Sequence, residues 1–148
     1  MTTIVLADDH EIIRKGLRAL LSSEIDLEVI GEASDGLQAV EIAERLHPDI
    51  LILDLMMPGM SGLKVAARLV KSCPCTGIII LSMHGHEAYL REAILSGARA
   101  YVLKDHTAEE IIPAIRQVSA GRCYLDSSFS TVNAPILQKN PRNDNLSR

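Results

Sequence analysis

Short apolar runs rich in Ile, Val and Leu alternate along the chain with longer stretches in which apolar residues recur every three or four positions. That alternation is the pattern of parallel strands covered by crossover helices, and five strand–helix pairs can be read. "IVLA" at 4–7 reads as the first strand. The helix after it sets Ile12, Ile13, Gly16, Leu17, Leu20 and Leu21 on one face. "LEVIGEA" at 27–33 is more polar, as an edge strand would be. "SDG" then turns into a helix that directs Leu37, Val40, Ala43 and Leu46 inward, and "HPD" ends it because Pro48 cannot continue a helix.

"ILIL" at 50–53 shows no alternation, so both of its faces should be buried and the strand should be central. The chain leaves it through Pro58, Gly59 and Gly62, and a helix resumes with Leu63, Ala66, Leu69 and Val70. "GIIILS" at 77–82 is the fourth strand. The helix beyond His84 carries Leu90, Ala93 and Ile94 and ends at Gly97, a left-handed cap. "ARAYVLK" at 98–104 is the fifth strand. In the last helix Thr107 and Glu110 have capping-box spacing, Ile111, Ile115 and Val118 face inward, and Pro113 should remove one backbone hydrogen bond and bend the axis. From Leu125 onward Ser, Asn and Pro dominate without a period, which reads as a linker or loose tail over 125–148.

Composition narrows the class. The 148 residues are 47% hydrophobic and 23% charged, enough for one well-packed domain, here 1–124, plus a tail. No apolar run is long enough to span a bilayer and "MTTIVLADD" lacks a secretory leader, so a cytoplasmic protein without membrane contact is expected. A formal net charge of -4 offers no basic field for nucleic acid. Cys73, Cys75 and Cys123 lack metal-ligand spacing and read as reduced structural thiols.

Polar chemistry collects at the strand ends, where open parallel sheets bind their ligands. The first strand delivers Asp8 and Asp9, the third Asp54, the fourth Ser82 and the fifth Lys104. Singly, each could be a helix cap or a turn residue. Together they exceed what caps require, since one polar residue serves each junction and neither a second aspartate nor the lysine is explained. Two carboxylates about 5 Å apart repel by roughly 3 kcal/mol at an effective dielectric near 20, so a cation must sit among them. Lys104 supplies one. An oxygen-rich cluster open to water on one side also suits Mg2+. Asp54 is then the carboxylate placed to attack a phosphoryl donor and form an acyl phosphate, with Ser82 and Lys104 available to the phosphate oxygens.

"LADDHE", "ILDLMMPGMSG", "ILSMHG" and "GARAYVLKD", in this order, resemble the receiver domain of two-component response regulators. "DDHEIIRKGLRALL" and "GEASDGLQAV" are similar to the NarL/FixJ, or LuxR-type, subgroup of transcription regulators. The resemblance implies an α/β fold of flavodoxin-like type: a doubly wound, five-stranded parallel sheet of order 2-1-3-4-5 with five helices. It implies that Asp54 takes a phosphoryl group from a sensor histidine kinase. Asp8 and Asp9 would organise magnesium, Asp9 more directly, with Asp54 and the backbone carbonyl of Met56 completing the ligands. Ser82 would be the switch hydroxyl, Lys104 the phosphate-binding lysine and Tyr101 the aromatic switch. Phosphorylation would then remodel a partner surface, by pairing two receivers or by freeing an effector domain.

Met56 cannot hydrogen-bond an attacking water whereas His84 can, which implies slow to moderate self-dephosphorylation. The subgroup usually continues into a helix-turn-helix domain, and nothing here supplies one; the terminal "NLSR" resembles its start. DNA contact is therefore expected only through an effector domain absent from this sequence. A stand-alone or degenerate receiver acting as an interaction module is the alternative. A phosphohydrolase would want an acid two residues past the nucleophile, where Met56 stands, so turnover enzymology is not expected. A flavodoxin-like cofactor binder would want a hydroxyl- and glycine-rich loop where "ADDHE" places negative charge.

Overall fold

A computed structural model describes residues 1–129. Strands β1 (Thr2–Ala7), β2 (Leu27–Ala33), β3 (Ile50–Asp54), β4 (Gly77–Ser82) and β5 (Ala100–Leu103) alternate with helices α1 (Glu11–Leu21), α2 (Gly36–Leu46), α3 (Gly62–Ser72), α4 (Glu87–Leu95) and α5 (Thr107–Ser119). The sheet is parallel throughout, with the expected order 2-1-3-4-5, and a sixth two-residue strand, β6 (Tyr124–Leu125), extends it beside β5. No helix among the described residues is long and apolar enough to cross a membrane.

The sheet is the middle of three layers. On one side Val5, Leu51, Leu53, Ile78, Ile80 and Tyr101 pack with α2, α3 and α4; on the other Ile4, Leu6, Ile50, Ile52, Ile79 and Leu81 pack with α1 and α5. Successive residues of a strand point to opposite faces, so a strand covered on both sides has no polar phase. That is why "ILIL" shows no alternation, and every residue of β3, Asp54 included, is buried.

Some expected inward positions are not inward. Ile12 is 77% exposed, Leu37 63%, and Leu46 is exposed, while Gly16 has open space where a side chain would stand. Ile12 stands on the side of α1 turned away from buried Leu17 and Leu21, and Leu37 lies off the stripe of α2 made by Gly36, Ala39, Val40 and Ala43. Gly97 does end α4, with φ of 110°. The capping box does not form. A 3-10 turn over Lys104–His106 runs directly into α5, so Thr107 is already helical and its hydroxyl donates to Lys104 O at 2.7 Å. Glu110 turns instead to β6 and accepts from Tyr124 Oη at 2.7 Å and Ser127 N at 2.9 Å. Pro113 lies on the exposed side of α5, where water can meet the carbonyl that loses its amide donor, and the helix continues through it to Ser119.

The change of composition at Leu125 does not coincide with the end of packing. Tyr124 N donates to Arg99 O at 2.9 Å and Asp126 N to Tyr101 O at 2.8 Å, Asp126 is fully buried, and Phe129 is 7% exposed. So short a strand is held by backbone bonds and leaves no period to read. The rest of the tail, including "NLSR", lies outside the described residues.

Candidate functional site

Parallel pairing in register brings the carboxyl ends of β1, β3 and β4 to one edge. Asp8 follows β1 directly, Asp54 ends β3, and Lys104 begins the turn after β5. Lys104 Nζ lies 3.0 Å from Asp8 Oδ2 and 3.2 Å from Asp54 Oδ2. All three side chains are more than nine-tenths buried. A single ammonium is thus shared by two carboxylates.

The other oxygens are held by backbone. Met56 N donates to Asp54 Oδ1 at 3.2 Å and His10 N to Asp8 Oδ1 at 2.9 Å. Arg14 donates to the carbonyl of Asp8 and, through Nε at 2.9 Å, to Glu32, tying α1 to this corner. Gly62 lets α3 start against the strand end: a Cβ there would stand 2.4 Å from Asp54 O and 2.9 Å from Leu55 Cα. Only glycine admits that approach, and with Gly62 N donating to Leu55 O at 2.9 Å it fixes the loop carrying Met56 beside Asp54.

Asp9 completes the cluster from the exposed side. Its Oδ1 is 3.2 Å from His10 Nδ1, which also approaches Asp8 Oδ1 at 3.0 Å. Neither aspartate caps α1, whose N-cap is His10 without a side-chain bond, whereas Asp35 is an ordinary cap for α2, accepting from Gln38 N at 2.8 Å. Ligand atoms of Asp8, Asp9, His10 and Asp54 lie within 4.8 Å of one another. Asp8 Oδ2 is buried without a well-aligned hydrogen bond, its contact with the Lys104 ammonium being close but poorly directed. Three carboxylates, one with an unfilled oxygen, on a side open through Asp9 fit a hard divalent cation such as magnesium. A hollow of about 480 Å³ lined by Asp9, Ser34, Asp35, Leu37, Pro58 and Gly59 adjoins it.

Ser82, His84 and Tyr101 form a second group. Ser82 is buried, and its Oγ accepts from His84 N at 2.9 Å rather than capping α4, whose N-cap is His86. Tyr101 is fully buried and donates to His84 O at 2.7 Å, and the His84 ring stacks on Tyr89 with centroids 4.5 Å apart. The Met56 side chain is 56% exposed.

The electrostatics follow the geometry. Burial, and then the charge of Asp8, push the Asp54 carboxyl above the ordinary aspartate range, while Lys104 and Met56 N pull it back. Burial disfavours the Lys104 ammonium, but its bond to Asp8 and the charges of Asp54 and Asp8 outweigh this and raise its pKa. Burial also raises the Tyr101 phenol. His10 and Arg14 were missed by the sequence reading. The only signal available was their place just after the two aspartates, and neither sits at a strand end.

Comparison with known proteins agrees with this geometry. Residues 4–116 match the family described as response regulator receiver domain. The chain is 40% identical over 138 residues to the nitrate/nitrite response regulator protein NarL of Escherichia coli (strain K12), covering 93% of this chain and 64% of that protein. It is 41% identical over 129 residues to the oxygen regulatory protein NreC of Staphylococcus carnosus, covering 86% and 59%. The chain therefore spans less than two thirds of the length of these relatives. Among solved structures it is similar to the signal receiver domain of the putative response regulator NarL from Mycobacterium tuberculosis, with a TM-score of 0.78, 36% identity, and 82% and 98% of the two chains covered. A LuxR-family two-component response regulator from Aurantimonas sp. gives a TM-score of 0.82 at 31% identity, with 94% and 97% covered. An acidic cluster and a lysine at the ends of a 2-1-3-4-5 sheet, joined to these matches, identify the chain as a member of the response regulator receiver family, the receiver domain of a NarL/NreC-type two-component regulator.

Proposed function

We propose that Asp54 is the phosphoacceptor of this receiver, taking a phosphoryl group from the phosphohistidine of a sensor histidine kinase. The observation that carries this is the sharing of the Lys104 ammonium between buried Asp54 and Asp8, beside an acidic cluster that opens outward through Asp9. An Asp54 carboxylate oxygen forms the new P–O bond as the P–N bond to the kinase imidazole breaks, and the bonding pair returns to the ring. Lys104 then pairs with a phosphoryl oxygen, and the Ser82 hydroxyl donates to another after releasing His84 N. Asp8, Asp9, Asp54 and the Met56 carbonyl would hold a magnesium ion, which supplies compensation for the negative charge gathered there.

Tyr101 is the aromatic switch in this reading, since its hydroxyl is bonded to the loop that Ser82 must move. Met56 and His84 set the lifetime of the acyl phosphate. A thioether two residues beyond Asp54 gives an attacking water no strong acceptor, so decay is slow to moderate. Exchanging Met56 for Asn or Glu should accelerate it, and an unchanged decay rate would remove Met56 from this role. The protein is a cytoplasmic signalling component rather than a turnover enzyme. Its transcriptional output and any DNA contact run through a DNA-binding effector domain, while the surface switched by phosphorylation is the one available for pairing two receivers.

Intact-mass measurement after incubation with acetyl phosphate and magnesium tests the central claim. One phosphoryl adduct, formed as acetate leaves and absent in Asp54→Asn, is the expected result. A folded wild-type protein that stays unmodified with magnesium present would refute it.

A further inference from the structure

The segment after α5 grips the domain at a functionally telling place. Asp126 is fully buried and its carboxylate accepts from Leu103 N at 3.0 Å and Ser128 N at 3.0 Å, with His106 Nδ1 also 3.0 Å away. A buried carboxylate answered by three donors positions its backbone closely, because charge-assisted bonds in a dry site are strong and directional. That anchor delivers Phe129 onto Tyr101, edge to face, with centroids 5.5 Å apart and planes at 87°. Asp126 N meanwhile donates to Tyr101 O at 2.8 Å.

Tyr101 consequently has two attachments. Its hydroxyl end is bonded to His84 O, in the loop whose amide at His84 is bonded to Ser82 Oγ. Its ring and backbone are covered by Phe129 and Asp126. The ring is fully buried with Phe129 packed against it, and a close-packed ring cannot turn outward while that packing stays.

We propose that residues 124–129 form an intramolecular clasp on Tyr101, so that the β4–α4 loop and the segment after α5 are coupled through this one side chain. Movement of Ser82 and His84 loosens the hold on Phe129; displacement of Phe129 loosens the loop. The use of this coupling for phosphoryl signalling rests on Asp54 being the phosphoacceptor, but the coupling itself does not.

Hydrogen exchange by mass spectrometry on the 148-residue chain tests it. Phe129→Ala should raise exchange in the β4–α4 loop, residues 83–86, by roughly tenfold while β1 and β3 keep their protection. In a Tyr101→Phe background, where the bond to His84 O is missing, the same substitution should leave the loop unchanged. Asp126→Asn repeats the comparison with a milder change should Phe129→Ala fold poorly. Loop exchange that ignores both substitutions, or that rises equally with and without the Tyr101 hydroxyl, overturns the clasp. After acetyl phosphate treatment the Asp54 adduct should be accompanied by faster exchange over 124–129, and an adduct without that change overturns the signalling role. Absence of any adduct counts against Asp54 alone, because the substitution arm needs no phosphoryl group.

Discussion

The ammonium of Lys104 stands 3.2 Å from Asp54 Oδ2 while also touching Asp8 at 3.0 Å, so one cation answers two buried anions. The balance is incomplete, and an incomplete balance is useful in a receiver. A fully neutralised pair would have little to offer a metal ion, whereas here a further positive charge lowers the energy of the whole corner and would offset the charge a phosphoryl group brings. Instability and reactivity at this edge thus have one origin.

Substitution of Asp54 by Asn should stabilise the fold. A folded-state pKa raised by burial and by Asp8 means that ionised Asp54 is less favourable in the folded than in the unfolded chain, so its charge costs stability as pH rises through the aspartate range. Asn keeps an oxygen for Met56 N and leaves Lys104 to Asp8. The expected gain at neutral pH without divalent metal is on the order of 1 kcal/mol, read from urea unfolding midpoints. A destabilised Asn variant would mean that the Lys104 contact outweighs the burial and the repulsion.

Lys104→Met should act in the opposite sense. It leaves Asp8 and Asp54 buried side by side without a cation, at a cost of about 3 kcal/mol, near the lower end for broken buried pairs because Asp9 opens the cluster to water. Magnesium should narrow the deficit by binding the native state. Thermal melts with and without magnesium check both halves, and an Lys104→Met protein as stable as wild type would show that the carboxylates need no cation.

Magnesium should raise the melting temperature of the wild type, and Asp9→Ala should abolish most of that gain while barely altering the metal-free melt. Asp9 is partly exposed and, among the described residues, its ion-pair contact is with His10, so little else is lost with it. A metal response that survives Asp9→Ala would move the binding site elsewhere.

Much of this corner is legible in the sequence. Strand ends are marked by apolar runs, so Asp8, Asp54, Ser82 and Lys104 could be placed on one edge by counting strands, and the buried run at 50–53 signalled its own centrality. Other features depend on where elements end in space. Ile12 and Leu37 are apolar but fall off the buried stripes of α1 and α2, Thr107 matches a capping spacing but is drawn into the helix by the 3-10 turn, and β6 is bound by backbone atoms that no side-chain pattern reports. His10 and Arg14 reach the site because α1 begins beside it.

Gly62 is the tightest backbone contact supporting Asp54. Alanine there would place its methyl group against the carbonyl of Asp54 and the Cα of Leu55, both backbone atoms that cannot swing aside. Gly62→Ala should therefore cost about 3 kcal/mol and slow phosphoryl uptake by displacing the strand end. Urea unfolding and the rate of adduct formation from acetyl phosphate measure the two effects. Loss of stability with an unchanged uptake rate would mean that Asp54 holds its place independently of α3.

The His106–Asp126 pair makes the hold on the C-terminal segment depend on pH. Its bond to Asp126 raises the His106 pKa above that of a free imidazole, against a small opposing effect of desolvation. Burial disfavours ionised Asp126, but donation from Ser128 N, Leu103 N and His106 prevails and lowers its carboxyl pKa. A raised histidine pKa contributes stability that is complete below the unfolded value near 6.5 and is lost as pH rises through the folded value. A depressed aspartate pKa contributes above about 3.8 and is lost as pH falls through its folded value. The pair is therefore strongest between those limits and weakens on the alkaline side first. Burial and the bond to Glu110 raise the Tyr124 phenol above its ordinary range, so it stays protonated across that alkaline change and does not mask it. Exchange of the 124–129 amides, corrected for the intrinsic effect of pH, should accelerate as pH rises past the ordinary imidazole range in the wild type and show no such step in His106→Asn. A step that persists in His106→Asn would assign the titration to another group.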